Sequence, residues 1–262
     1  MKCIYWNTKQ ITTIDYIIDI IEQENPDVFF LSEINVNTIL SNTIALNKIS
    51  FEHFPNPGCD RVIIIKNKKF SINLGRQSTY YSTVICPEQN IFLISVHLPS
   101  QMFQSFDGLK GFMRNFRAEI DQEIGSSITE NILIIGDFNI NPFEKPMIDF
   151  DGFAASNSIN FRAKITHLSI EKTLYYNPTW QLYSRTYFPG SKHFNRPSGS
   201  AYDIIEHHYL DQVVLSHCLT KNIVTEKIDV VEKTAKFVFF DKLNYKIKIS
   251  DHLPLTYDFN IK

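Results

Sequence analysis

Cysteine is scarce and scattered. The four residues, Cys3, Cys59, Cys86 and Cys218, stand far apart in a chain of 262, and no C-x-x-C pair occurs. That spacing argues against a structural zinc site. Cys3 and Cys86 fall inside apolar runs, which reads as buried thiols and a reducing compartment. Long hydrophobic runs are missing too, since no stretch reaches the roughly 18 apolar residues of a membrane-crossing helix. The opening MKCIYWNTKQ has neither an apolar core nor a small-residue cleavage site, so no secretory leader is expected. The expectation is a cytoplasmic protein without a membrane anchor, monomeric by default. A basic excess is absent as well: net charge is −2 and the pI about 6.4. This does not advertise a nucleic-acid binder. A carboxylate-rich metal site nevertheless lowers the pI while attracting phosphate once loaded. Repeats, low-complexity tracts and interdomain linkers are lacking, which predicts one domain over 1–262. With 44% apolar and 13% aromatic residues, it can bury a sizeable core.

What is present is a series of short apolar runs. Residues 2–6 and 28–32 read as strands. Between them Ile14, Ile17, Ile18 and Ile21 recur at helical spacing, with Asp15, Asp19 and Glu22 opposite. Thr12 or Thr13 can cap this helix and Asn25-Pro26 stops it. Strand, helix and strand make a βαβ unit. Further strands are predicted at 62–66, 82–86, 91–96, 132–136, 213–216 and 254–259, the third and second of these joined as a hairpin over Pro87–Asn90. Phe112, Met113, Phe116, Ile120 and Ile124 predict a helix over 111–124. Residues 140–209 hold few clear strands and many turn residues. Long irregular segments in a compact domain are commonly functional, and the aromatic content here argues against disorder.

Polar residues stand directly after the apolar runs: Asn7, Glu33, His97, then Asp137 and Asn139 in GDFN, and Asp251 and His252 in SDH. The βαβ geometry puts Asn7 and Glu33 at the same end of neighbouring parallel strands, where binding sites form. Any one of them alone reads as a solvated turn residue; the information lies in their joint occurrence. In order, WN at 6–7, SE at 32–33, VHL at 96–98, GDFN at 136–139, LDQVVLS at 210–216 and SDHLPL at 250–255 resemble the endonuclease/exonuclease/phosphatase superfamily. That superfamily includes pancreatic-type DNases, exonuclease III-like repair enzymes, deadenylases, neutral sphingomyelinases and inositol-phosphate phosphatases. The resemblance implies an α+β fold, a four-layer αββα sandwich of two mixed sheets flanked by helices.

It also implies a metal-dependent phosphoester hydrolase, using Mg²⁺ or Mn²⁺. A phosphodiester is an anion that resists attack by water, so hydrolysis needs positive charge on its oxygens and an activated nucleophile. Magnesium takes oxygen ligands and keeps several waters. Glu33 is the first candidate ligand; Asn7 adds an amide oxygen or positions Glu33, and Asp251 completes the shell. Asp137 matches the family residue that orients or deprotonates the attacking water. Asn139, two residues on along an extended segment, would hold the phosphate or the water. His252 matches the residue that contacts the scissile phosphate, with Asp211 as its orienting partner. His97 matches a second histidine of the DNase and sphingomyelinase branches and is a candidate proton donor to the leaving oxygen. Lys9 departs from the repair enzymes, which often carry an acid there, and GDFN continues as INPFE. Both points speak against abasic-site repair.

Residues 160–209 carry Arg162, Lys164, Lys172, Arg185, Lys192 and Arg196, interleaved with aromatics that include Tyr175, Tyr176, Trp180, Tyr183, Tyr187, Phe188, Phe194 and Tyr202. Cations and aromatic faces suit phosphates and bases. Arg185, Arg196 and Trp180 are therefore candidate substrate-binding residues, and 140–209 a substrate-facing insertion. The bland alternative is that the aromatics pin a long loop and the charges are solvated. A nuclease on DNA or RNA is the leading functional reading. A phosphatase or lipid phosphodiesterase of inositol-phosphate or sphingomyelin type is the second, and a non-catalytic binding module the third.

Overall fold

Apolar runs without alternation predict strands buried on both faces, and the structure shows why. The computed structural model describes residues 1–100, 106–126, 129–159, 163–184, 190–193 and 207–262. Its first half runs β1 (Lys2–Asn7), α1 (Asp15–Glu24), β2 (Val28–Ser32), α2 (Val36–Leu40), α3 (Thr43–Lys48), β3 (Phe51–Phe54), β4 (Val62–Asn67), β5 (Asn73–Ser78), β6 (Tyr81–Cys86), β7 (Ile91–His97) and α4 (Phe106–Ser126). Next come β8 (Ile132–Asp137), α5 (Lys145–Ile148), β9 (Ala155–Ser156), β10 (Lys164–His167), β11 (Ile170–Thr173), β12 (Tyr175–Tyr176) and a 3₁₀ helix (Pro178–Ser184). The chain ends with β13 (Lys192–His193), β14 (His207–His208), β15 (Asp211–Ser216), α6 (His217–Asn222), β16 (Ile223–Val230), β17 (Phe240–Asp241), β18 (Lys246–Ile247) and β19 (Leu255–Ile261).

Two mixed sheets result. One is ordered β16-β19-β1-β2-β4-β3, the other β5-β6-β7-β8-β15-β12-β9. In β8, Leu133 and Ile135 join the core shared with the first sheet, while Ile132 and Ile134 face outward under Leu109, Met113, Phe116 and Ile120 of α4. The pleat puts alternate side chains on opposite faces, so one run of apolar residues fills two layers. On the other side α1 buries Ile17, Ile20 and Ile21. The αββα sandwich is thus the observed fold. Among the described residues no helix is long and apolar enough to cross a membrane.

The βαβ unit forms as the pattern predicts, with β1 and β2 parallel and Asn7 paired to Ser32. Asn25 ends α1 in the left-handed conformation, φ 44°, one residue before Pro26. At the other end Ile14 occupies the cap position, and the Thr13 hydroxyl accepts only the Asp15 N–H, at 3.2 Å. Asp19 is not on a solvated face as expected. It is buried and accepts hydrogen bonds from the Thr234 hydroxyl and the Lys236 N–H, which ties the turn at 234–237 to the helix. The 3.6-residue period places Asp19 next to the apolar stripe, and a partner 215 residues away cannot be read from spacing.

The loop-rich stretch is anchored by α4. Arg117 is 1% exposed; it donates to Asp121, to the Phe153 carbonyl (2.7 Å) and to the Thr173 carbonyl (2.7 Å), and lies 4.3 Å from the Tyr175 ring. Close approach of β7 and β8 depends on Gly136. Its φ is +151°, and a Cβ there would stand 2.1 Å from the Val96 carbonyl oxygen. Gly136→Ala should therefore lower stability by about 3 kcal/mol or more, as steric strain adds to backbone strain. Urea denaturation checks this; an unchanged midpoint would show that the two strands separate at little cost.

Candidate active site

The two parallel strand pairs, β1–β2 and β7–β8, end on the same side of the sandwich, where β1 packs on β8. Register does the rest. Asn7 is level with Ser32, so Glu33 follows one step beyond, while His97 pairs with Asp137 and Asp137 with Asp211. His252 arrives from the loop before β19. Positive φ at Glu33 (50°) and Asn139 (54°) turns the chain sharply at these strand ends. Non-glycine residues seldom adopt that conformation, and they gather at functional sites when they do.

Asn7 Nδ2 donates to Glu33 Oε1 at 3.0 Å and to Asp137 Oδ2 at 3.2 Å. Its amide oxygen accepts the Lys9 N–H at 3.2 Å. His97 Nε2 lies 3.5 Å from Glu33 Oε1. His252 Nδ1 donates to Asp211 Oδ2 at 2.8 Å, which leaves Nε2 directed toward Asp137 Oδ2 at 3.9 Å. Burial pushes the Asp211 carboxyl up, against the opposing pull of the His252 ring. The His252 backbone is fixed on both sides. Its N–H donates to Ser250 Oγ (3.1 Å), whose hydroxyl donates to the Asn7 carbonyl (2.8 Å), and its carbonyl accepts the Trp6 indole N–H (3.0 Å).

Asn139 is buried, and it does not lie two residues along an extended segment as expected. Its backbone N–H donates to Asp137 Oδ1 (2.8 Å) and its side-chain amide to the Leu98 carbonyl (2.8 Å), so it holds Asp137 and the strand ends together. Asp251 forms an ion pair with Lys9 at 3.2 Å. Trp180 sits in a ring cluster with Phe143 and Tyr183, its indole N–H without a hydrogen-bond partner among the described residues. Lys164 pairs with Glu171, and Lys172 donates to the Phe150 and Gly152 carbonyls. Arg185 and Arg196 lie outside the described residues.

Sequence reasoning passed over Asn141, Ser191 and Ser250. Asn141 donates to Glu144, contacts His208 Nδ1 at 2.9 Å and accepts the Tyr209 N–H. Ser191 accepts the Asp211 N–H at 2.9 Å. Ser250 stood inside the SDH motif, and its adjacency to His252 was the available signal.

Residues 4–252 match the model of the Endonuclease/Exonuclease/phosphatase family. The chain belongs to that family. No curated protein sequence matches the chain. Among solved structures, TDP2 from Caenorhabditis elegans superposes with a TM-score of 0.61 at 14% identity, over 98% of this chain and 74% of that one. An AP endonuclease from Archaeoglobus fulgidus gives 0.58 at 13% identity, over all of both chains. The 3′-5′ exonuclease NExo from Neisseria meningitidis gives 0.56 at 14%, over 99% of this chain and 100% of that one. At such identities the likeness establishes the fold, the DNase I-like sandwich of this family of phosphoester hydrolases.

The donor set suits a hard divalent cation. Glu33, Asp137 and Asp211 crowd one site, and among the described residues no lysine or arginine is bonded to any of them. Among the described residues Asp137, Asp211 and His252 bring possible ligand atoms within 4.8 Å of one another, and a buried pair of carboxylates in such a group favours a bound divalent cation. Glu33 is held ionised: hydrogen bonding from His97 foremost, opposed by burial and aided by Asn7, pulls it down from 4.5 to about 2. A depressed carboxylate adds stability that is present above pH 4.5 and lost as pH falls through about 2. Glu33 is 40% exposed, so solvent screening keeps that contribution small. In the metal-free protein, NMR titration of the Glu33 carboxyl carbon should give a midpoint near 2, rising toward 4.5 in His97→Ala. An ordinary midpoint in the unaltered protein would contradict the His97–Glu33 contact.

Proposed function

We propose that this protein is a magnesium-dependent phosphodiesterase acting on nucleic acid, and that 1–262 forms one domain. The observation that carries this reading is the convergence of an ionised Glu33, a buried Asp137 and an Asp211-held His252 at one end of two facing sheets. Glu33 is the metal ligand. Asn7 presents its amide nitrogen to the carboxylates, so it positions Glu33 and Asp137. The carboxylate of Asp251 stands beside the mouth on Lys9 and completes the outer shell. When bound, the cation polarises a phosphoryl oxygen and offsets the charge of the transition state.

The chain's own residues then divide the work. Asp137 Oδ2 orients the attacking water and takes its proton, while Asn139 keeps that carboxylate in place. Asp211 fixes the tautomer of His252, whose Nε2 faces the phosphate and the charge developing on it. His97, held against Glu33, supplies a proton to the oxygen that departs as the P–O bond breaks. The stretch 140–209, with Trp180, Arg185 and Arg196, is the substrate-facing part. The cluster of rings formed by Phe143, Trp180 and Tyr183 supports this, since aromatic faces stack on bases.

The test is a hydrolysis panel of plasmid DNA, single-stranded DNA, RNA, poly(A), inositol phosphates and sphingomyelin. Activity on a polynucleotide should vanish in EDTA and return with Mg²⁺ or Mn²⁺. Asp137→Asn and His252→Ala should each cut turnover by about 10²–10⁴ while melting normally. Glu33→Gln should do the same and raise the metal concentration needed. Full activity in chelator would overturn the metal reading, and activity confined to inositol phosphates or sphingomyelin would replace the nucleic-acid one.

A further inference from the structure

Beyond the Glu33–His97 edge the molecule opens into a cavity of about 770 Å³, walled in part by Thr12, Asn35, Asp60 and Arg61. Arg61 is the one lysine or arginine among the described residues that line it. Its place is set by register. Ser32 pairs with Val62 at the end of the β2–β4 ladder, so Glu33 and Arg61 each flank that last pair, and both line the cavity. A cation sharing a cavity wall with a carboxylate would ordinarily pair with it. Arg61 does not: its guanidinium carbon lies 4.9 Å from the centroid of the Tyr80 ring, and among the described residues no carboxylate is ion-paired with it.

Lys9, by contrast, is paired with Asp251. A π face holds a guanidinium through its plane and leaves the in-plane N–H donors available, which suits bidentate recognition of a phosphate. Tyr80 is itself tied to the site. Its carbonyl accepts the His97 N–H at 2.9 Å, and its ring meets Phe112 edge-on at 5.3 Å. Arg61 and His97 are therefore two points on one rigid rim.

We propose that Arg61 is a specificity-determining residue that binds the phosphate next to the scissile one. The preferred substrate is then a polynucleotide strand running over Arg61, rather than an isolated phosphodiester. This rests on the phosphodiesterase reading above. It assigns to the β4 edge a recognition role apart from the 140–209 stretch, and it makes Arg61 dispensable for the chemical step.

The experiment compares Arg61→Ala and Arg61→Lys on two substrates. One is bis(p-nitrophenyl) phosphate, which has a single phosphate. The other is a single-stranded DNA or RNA oligonucleotide, whichever the unaltered enzyme cleaves faster. Arg61→Ala should raise KM for the oligonucleotide by about 10–100-fold, the usual loss for a charge-assisted contact, with kcat within about twofold. Hydrolysis of bis(p-nitrophenyl) phosphate should stay unchanged, and Arg61→Lys should recover part of the loss. In EDTA, fluorescence anisotropy of a labelled oligonucleotide should show weaker binding and a salt slope reduced by about one. Equal losses on both substrates, or an unchanged KM and salt slope, would overturn the role of Arg61 while leaving the phosphodiesterase reading in place. An unaltered enzyme that cleaves neither substrate would overturn both.

Discussion

The amide nitrogen of Asn7 reaches a carboxylate in each sheet: Glu33 beyond β2 and Asp137 at the end of β8. The site exists only because the two sheets meet with these strand ends level, and this amide fastens them there. The second fastening is His252 to Asp211, which again runs from the first sheet to the second. Sheets that pack through apolar side chains alone can slide by fractions of an ångström at small cost, because the hydrophobic effect is non-directional. Two directional hydrogen bonds across the seam remove that freedom and set the spacing between Glu33, Asp137 and His252. The backbone locks by Ser250, Trp6 and Asn139 serve the same end.

Electrostatics work in the opposite direction. Asp137 and Asp211 repel one another, and burial penalises Asp211 further. Burying that pair costs stability relative to an apolar equivalent, as is common where function requires buried charge. A divalent ion held there would offset the repulsion. Stability and metal affinity should therefore be linked, with ligand binding favouring the folded state in proportion to occupancy.

Much of this was legible in the sequence, and the parts that were not have physical reasons. The strands of the βαβ unit and of β6 to β8 showed as apolar runs because both faces are buried. The helices Val36–Leu40 and Thr43–Lys48 and the strand Asn73–Ser78 did not, since they are short and half-exposed and carry no clean period. The acids and histidines of the site were visible as polar residues ending apolar runs. The extended course expected at Asn139 is not found, because its left-handed φ cannot be read from spacing. Arg61 was invisible: an arginine before a strand says nothing until the fold puts it in the cavity that Glu33 and His97 also line.

The central claim is that groups from the two sheets act as one catalytic unit, and a double-variant cycle tests it most directly. Turnover would be measured for Asp137→Asn, His252→Ala and the combined protein, each verified as folded by thermal melting. Groups that serve one transition state are strongly non-additive. The combined protein should then retain turnover within about threefold of the slower single variant. Losses that multiply would mean that the two residues act independently, and that the arrangement at the seam is not a single active site.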